Sequence, residues 1–122
     1  MLYVGVDIIE FSRLERPLEK YGGRFKRTVY TDKEIAACEK CGDKITAYAE
    51  RFALKEAAIK AFGTGVSEGI YWIQVEYTDK GSKTLNFKGA SKNFIENNGI
   101  KNVLFSVSST SSFSIAVVIL SG

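Results

Sequence analysis

The 122-residue sequence has no histidine, one proline, one tryptophan and two cysteines. Without histidine, the side chain whose ordinary titration falls between about pH 5 and 8 is missing, which excludes every imidazole-based proton relay, nucleophile partner or metal ligand within the chain. Cys38 and Cys41 form a single C-x-x-C. With no second pair and no imidazole, they are too few soft ligands for a four-coordinate zinc site. They close a polar helical pattern rather than following a strand of a βαβ unit, so they read as incidental thiols in a reducing cytoplasm and not as a redox motif. No stretch approaches the roughly 18 apolar residues of a bilayer span. The first residues also lack the basic-then-apolar order of a secretory signal. A cytoplasmic protein with no membrane partner is expected. The net charge of +3 is too weak for a nucleic-acid binder, which concentrates its basic residues in a stripe.

The hydrophobic fraction of 45% and charged fraction of 25% are those of an ordinary globular chain, and the length fits one domain over residues 1–122. Residues 2–9, LYVGVDII, read as a buried first strand. A helix over 10–20 places Phe11, Leu14 and Leu18 on one stripe, with a kink or a break expected at Pro17. Gly22-Gly23 ends that unit, and 24–29 reads as a further helical turn or two. Thr31 with Glu34 gives a capping box for a helix running to about Lys40. Asp43 then caps a long helix ending near Phe62. In the second half, 71–78 and 83–88 read as a hairpin around Asp79-Lys80-Gly81, and 89–98 as a short helix. Two closing strands, 103–107 and 113–120, are joined by a polar turn, the last strand being apolar enough to be central. The whole is α+β with an antiparallel sheet and a long central helix.

That long helix carries the stretch RFALKEAAIKAFGTG, residues 51–65. Phe52, Ile59 and Phe62 share one side of it, while Ala53, Leu54, Ala57, Ala58 and Ala61 occupy much of the other, so it should be packed on two sides. Glu56 and Lys60 are one turn apart. They are either an intrahelical ion pair worth roughly 0.2–0.5 kcal/mol or a carboxylate and an ammonium aimed together at a metal-bound phosphate. Gly63-Thr64-Gly65 is a turn whose backbone N–H groups could approach an anion, and a helix C-cap explains Gly63 equally well. Asp7 interrupts the apolar first strand. A carboxylate there requires a cation, hydrogen bonds or a metal, and no local cation is well placed. Between Arg13 and Arg27, six basic residues stand against two acids, either a solvated face or an attraction for an acidic partner.

GVDIIEFSR at 5–13, YTDKE at 30–34, ERFALKEAAIKAFGTG at 50–65 and SVSST at 106–110 occur together in an order and spacing that resembles the holo-acyl-carrier-protein synthases, the small group of 4′-phosphopantetheinyl transferases. The resemblance spans nearly the whole chain. It implies transfer of the phosphopantetheine arm of coenzyme A to a serine of apo acyl carrier protein, with release of adenosine 3′,5′-bisphosphate. It implies Mg²⁺ held by Asp7 and Glu56, with Glu56 and Lys60 as catalytic residues. Arg51, Lys60, Gly63, Thr64, Gly65, Ser109 and Thr110 map onto positions near coenzyme A. Arg13 corresponds to an arginine that meets the acidic carrier protein, and Arg16 and Arg24 belong to the same basic segment. A homotrimer with active sites shared between subunits is implied as well, with Lys83 or Ser109 reaching the ligand of a neighbour.

Two departures stand out. The family motif near the C-terminus usually carries a histidine where this chain has Ser109. Serine can hydrogen-bond a phosphate oxygen but cannot carry charge or relay a proton near neutral pH. The segment 81–83 reads G-S-K where G-K-P is common, which weakens transfer of nucleotide contacts to the hairpin. The alternative function is therefore a coenzyme A-binding protein of the same fold whose transferase activity is weak or lost.

Overall fold

The computed structural model describes residues 1–63 and 69–122. Along these the chain runs β1 (Leu2–Glu10), α1 (Phe11–Tyr21), α2 (Gly23–Val29), α3 (Asp32–Glu39), α4 (Lys44–Phe62), a short 3-10 turn (Trp72–Gln74), β2 (Val75–Asp79), β3 (Lys83–Phe87), α5 (Gly89–Asn97), β4 (Asn102–Ser109) and β5 (Phe113–Ser121). β1, β5 and β4 form an antiparallel sheet in that order, with the apolar last strand in the centre as expected. β2 and β3 form a separate antiparallel hairpin. Among the described residues no helix is long and apolar enough to cross a membrane.

The helix boundaries follow their capping chemistry. Thr31 and Glu34 form the reciprocal capping box of α3, and the Asp43 carboxylate accepts from the Thr46 N–H at the start of α4. α4 ends at Gly63, which adopts φ 81°. Such a left-handed angle favours glycine. Two expectations need correction here. α1 is not broken at Pro17 but continues through it, with Phe11 and Leu14 before it and Leu18 after it on one packed stripe. The segment from Tyr71 enters the hairpin through the 3-10 turn at Trp72–Gln74, and the strand proper begins only at Val75.

α4 is the element on which the rest packs. Ala53, Leu54, Ala57, Ala58 and Ala61 join β5 residues Ala116, Val118 and Leu120 in one cluster. Ala47, Tyr48 and Ala49 join Phe11, Leu14, Val29 and Tyr30 in a second. Contact with β1 is close enough to dictate a residue. A Cβ on Gly5 would lie 1.8 Å from the Ala57 carbonyl oxygen and 2.6 Å from the Ala61 nitrogen. Backbone therefore rests on backbone, and Asp7, two residues along the same face, is delivered to the last turns of α4. Gly5→Ala is expected to destabilise the fold by about 3 kcal/mol, at the upper end for overpacking, since helix backbone cannot step aside. Urea unfolding of the variant checks this.

The expectation of a buried first strand is corrected for one of its faces. Its inward residues face α4, but Leu2, Val4, Val6 and Ile8 are all more than half exposed. Leu104, Phe113 and Ile115 of β4 and β5 extend the same outward apolar face. One face of the sheet is covered by this chain's own helix and the other is not.

Candidate active site

Asp7 finds its cation 53 positions away in sequence. Lys60 Nζ donates to Asp7 Oδ1 at 2.8 Å, with the Asp7 side chain only 12% exposed. The hydrogen bond to Asp7 raises the Lys60 ammonium above the ordinary lysine range, so it stays charged at any physiological pH. The intrahelical Glu56–Lys60 pair is therefore not the arrangement adopted: Lys60 crosses to the strand and leaves Glu56 without a direct cation among the described residues. Glu56 is half-buried and accepts one hydrogen bond there, from the indole Nε1 of Trp72 to Oε1 at 2.7 Å. Asp7 and Glu56 line one cleft of about 470 Å³ together with Glu10, Arg13, Phe52 and Trp72. One wall is apolar, and both sequence-predicted carboxylates line the cleft.

Beneath that cleft lies a buried ion pair that sequence reasoning missed. Lys55, the residue before Glu56, places Nζ 2.7 Å from Glu34 Oε1, and both side chains are essentially inaccessible. Glu34 also accepts from the Thr31 and Tyr77 N–H groups, at 3.0 Å each. Lys55 donates as well to the carbonyls of Trp72 and Val75. α3, α4 and β2 are thereby tied at one point. Burial pulls the Lys55 ammonium below the ordinary lysine range, and the Glu34 carboxylate opposes that pull. Glu34 was legible only as a capping residue. The available signal was Lys55 itself, a lysine among Ala53, Leu54, Ala57 and Ala58 on a packed helix side, where a cation requires a buried anion.

The remaining predicted positions fall elsewhere. Arg51 is buried, stacked over Tyr77 at 5.1 Å and bonded to the Ala47 carbonyl, and its Nε has no partner among the described residues. It lines a second pocket with Lys33, Lys40 and Lys80, away from Asp7 and Glu56. Ser109 Oγ donates to Glu50 Oε2 at 2.7 Å and lies 2.7 Å from Ser114 Oγ. The serine is thus held by a carboxylate beside Arg51. Thr110 Oγ1 accepts from the N–H groups of Ser112 and Phe113 and so closes the β4–β5 turn. Gly63 caps α4, while Thr64 and Gly65 lie outside the described residues. Arg13 and Arg16 are exposed on α1 and share a concave patch with Glu10 and Ser12 beside the cleft, and Arg24 is exposed on α2. Both cysteines are free. Burial pushes the Cys38 thiol up to about 12, which leaves it unreactive.

A family model described as the 4′-phosphopantetheinyl transferase superfamily matches residues 3–118. The chain belongs to that superfamily. Within it, the chain is 40% identical over 118 residues to a holo-[acyl-carrier-protein] synthase of Solibacter usitatus, covering 95% of this chain and 94% of the relative. A holo-[acyl-carrier-protein] synthase of Koribacter versatilis is 35% identical over 122 residues, with 98% of each covered. Among solved structures, the holo-[acyl-carrier-protein] synthase of Neisseria meningitidis superposes with a TM-score of 0.89 at 26% identity, covering 98% of each chain. That of Helicobacter pylori, in complex with coenzyme A, superposes with a TM-score of 0.83 at 27% identity, covering 97% of this chain and 99% of the other. The α+β, antiparallel transferase-like fold inferred from the sequence is the fold of this superfamily.

The donor set of the cleft suits the metal that the resemblance implies. Mg²⁺ prefers hard oxygen ligands and commonly uses one or two carboxylates, completing its shell with phosphate oxygens and waters. Asp7 and Glu56 supply two carboxylates in one open cleft. No group of three or more histidine, cysteine, aspartate or glutamate side chains gathers among the described residues.

Proposed function

We propose that this chain transfers the 4′-phosphopantetheine group of coenzyme A to a serine of apo acyl carrier protein, releasing adenosine 3′,5′-bisphosphate. The observation that carries the reading is that Asp7 and Glu56 line one cleft, with Lys60 bonded to Asp7, in a chain of the phosphopantetheinyl transferase superfamily. Asp7 and Glu56 would hold Mg²⁺, which when bound neutralises charge on the pyrophosphate. The serine oxygen attacks the phosphorus that bears the pantetheine arm, and the bond to the bisphosphate oxygen breaks. Positioning and charge stabilisation dominate such transfers. Lys60 contributes a fixed positive charge beside Asp7. Glu56 is the better acceptor for the serine proton, because Asp7 already holds an ammonium while Glu56 holds only an indole N–H. Arg13, Arg16 and Arg24 form the exposed basic surface that steers an acidic carrier protein.

Oligomeric assembly belongs to this reading. Arg51 and Ser109 do not line the cleft of Asp7 and Glu56, so a site that uses all four draws on a second copy. The outward sheet face with Leu2, Val4, Val6, Ile8, Leu104 and Ile115 is the apolar surface such a copy would cover. A homotrimer in the cytoplasm with intersubunit sites satisfies both observations.

The products test the chemistry. With coenzyme A and apo carrier protein, chromatography should detect adenosine 3′,5′-bisphosphate in the presence of Mg²⁺ and none after chelation. Release that persists after chelation would remove the metal from the account. The alternative, a coenzyme A-binding protein with weak or lost transfer, draws on Ser109, whose hydroxyl is engaged by Glu50. In Ser109→His the imidazole would meet the same carboxylate, which favours its charged form. The rate is expected to rise by about tenfold, the size of one added charge-assisted contact of roughly 1.4 kcal/mol. An unchanged rate would mean that Ser109 costs the chain nothing.

A further inference from the structure

Trp72 has no part in the roles above, yet it touches the carboxylate on which they depend. Its indole Nε1 is the one described donor to Glu56, at 2.7 Å. The same ring lies against Phe52, with centroids 5.8 Å apart and planes at 37°. Phe52 and Glu56 are one turn apart on α4, so a single indole spans both, its face on the phenyl ring and its N–H on the carboxylate. The indole's own backbone is fixed from below. Lys55 Nζ donates to the Trp72 carbonyl at 3.1 Å, and the Gln74 N–H donates to the Tyr71 carbonyl at 3.1 Å, closing the turn. Because Lys55 precedes Glu56 on the same helix and is anchored on Glu34, the height of the indole along α4 is set by that ion pair.

From this geometry we infer that Trp72 is a positioning residue for Glu56: its N–H holds Oε1 and leaves Oε2 as the oxygen presented to metal and substrate. The terminal torsion of a glutamate is otherwise broad, and a donor to an ionised carboxylate makes a short, strong bond. Partners that orient a metal-binding group typically change affinity or activity by about 10–100-fold when removed. The inference rests on Glu56 being a carboxylate of the transferase site, as proposed above.

The sequence has one tryptophan, so replacing tryptophan by benzothienylalanine alters this position alone. The analogue keeps ring size and the Phe52 contact but carries sulfur in place of the N–H. Three quantities are measured on the full chain: the melting temperature, Mn²⁺ binding by loss of the free-ion paramagnetic signal in the presence of coenzyme A, and the kinetic constants of transfer. The expected result is a melting temperature within about 2 °C of the parent, with Mn²⁺ binding and kcat each weakened about tenfold and KM for the carrier protein unchanged. Trp72→Phe, which also lacks the N–H, should reproduce the loss. Mn²⁺ affinity and kcat within about twofold of the parent in both variants would overturn the inference. Glu56→Gln run in parallel separates two failures. If it weakens Mn²⁺ binding while neither Trp72 variant does, only the positioning role is lost. If it too leaves binding unchanged, the assignment of Glu56 has failed and the role of Trp72 falls with it.

Discussion

Glu56→Gln is expected to lower kcat for phosphopantetheine transfer by about 10³-fold, a magnitude typical of removing a positioned proton acceptor. The substitution is chosen for what it preserves. The amide carbonyl of glutamine still accepts from the Trp72 indole, so the side chain stays in the orientation that the Trp72 bond gives it. Only the charge is lost, and with it both metal affinity and basicity. Glu56 is half-buried and has no described ion-pair partner, so unfolding free energy should change by less than about 1 kcal/mol. Steady-state kinetics and urea unfolding on the same preparation separate the two effects. Activity within about tenfold of the parent would remove Glu56 from the site.

Lys55→Met is expected to be the most damaging change to stability among the polar residues. Glu34 would remain buried with its cation gone, and breaking a buried pair from one side costs about 3–5 kcal/mol. That is a large fraction of the roughly 5–15 kcal/mol that separates folded from unfolded domains. The carbonyls of Trp72 and Val75 would lose their donor at the same time. A second variant tests the cause. Glu34→Gln combined with Lys55→Met removes both charges and keeps one acceptor oxygen for either the Thr31 or the Tyr77 N–H, which bond to different oxygens of Glu34. It should recover at least about half of the loss, because a neutralised pair carries no uncompensated buried charge. Denaturant midpoints that are equal for single and double variants would show that charge is not what organises this junction.

These two residues also mark where the sequence was legible and where it was not. Glu56 is assigned to the site by the family resemblance and by the unpartnered Asp7, while its helix, apolar on two sides, only restricts where its charges can go. Asp7 announced that it needed a partner, since a carboxylate on a strand is costly alone. Its partner was invisible to local inspection because Lys60 reaches it only through the packing of β1 on α4 at Gly5. Glu34 was obscured for the opposite reason. Its capping box satisfied the local reading completely, and nothing nearby suggested that Lys55 shares the same carboxylate oxygen. Trp72 disappeared into an expected strand, because the turn that carries it is held by Lys55 and Gln74 rather than by its own propensity. The outward face of β1 was read as buried because an apolar run carries no mark of which chain will cover it.

The most direct test is the mass of the carrier protein. Purified chain is mixed with coenzyme A, Mg²⁺ and apo acyl carrier protein, and the carrier is weighed intact by mass spectrometry, with coenzyme A binding measured separately. The account predicts that the carrier gains the mass of one phosphopantetheine group. Measurable coenzyme A binding with no gain in carrier mass would contradict it and leave the chain a binding protein of the transferase fold.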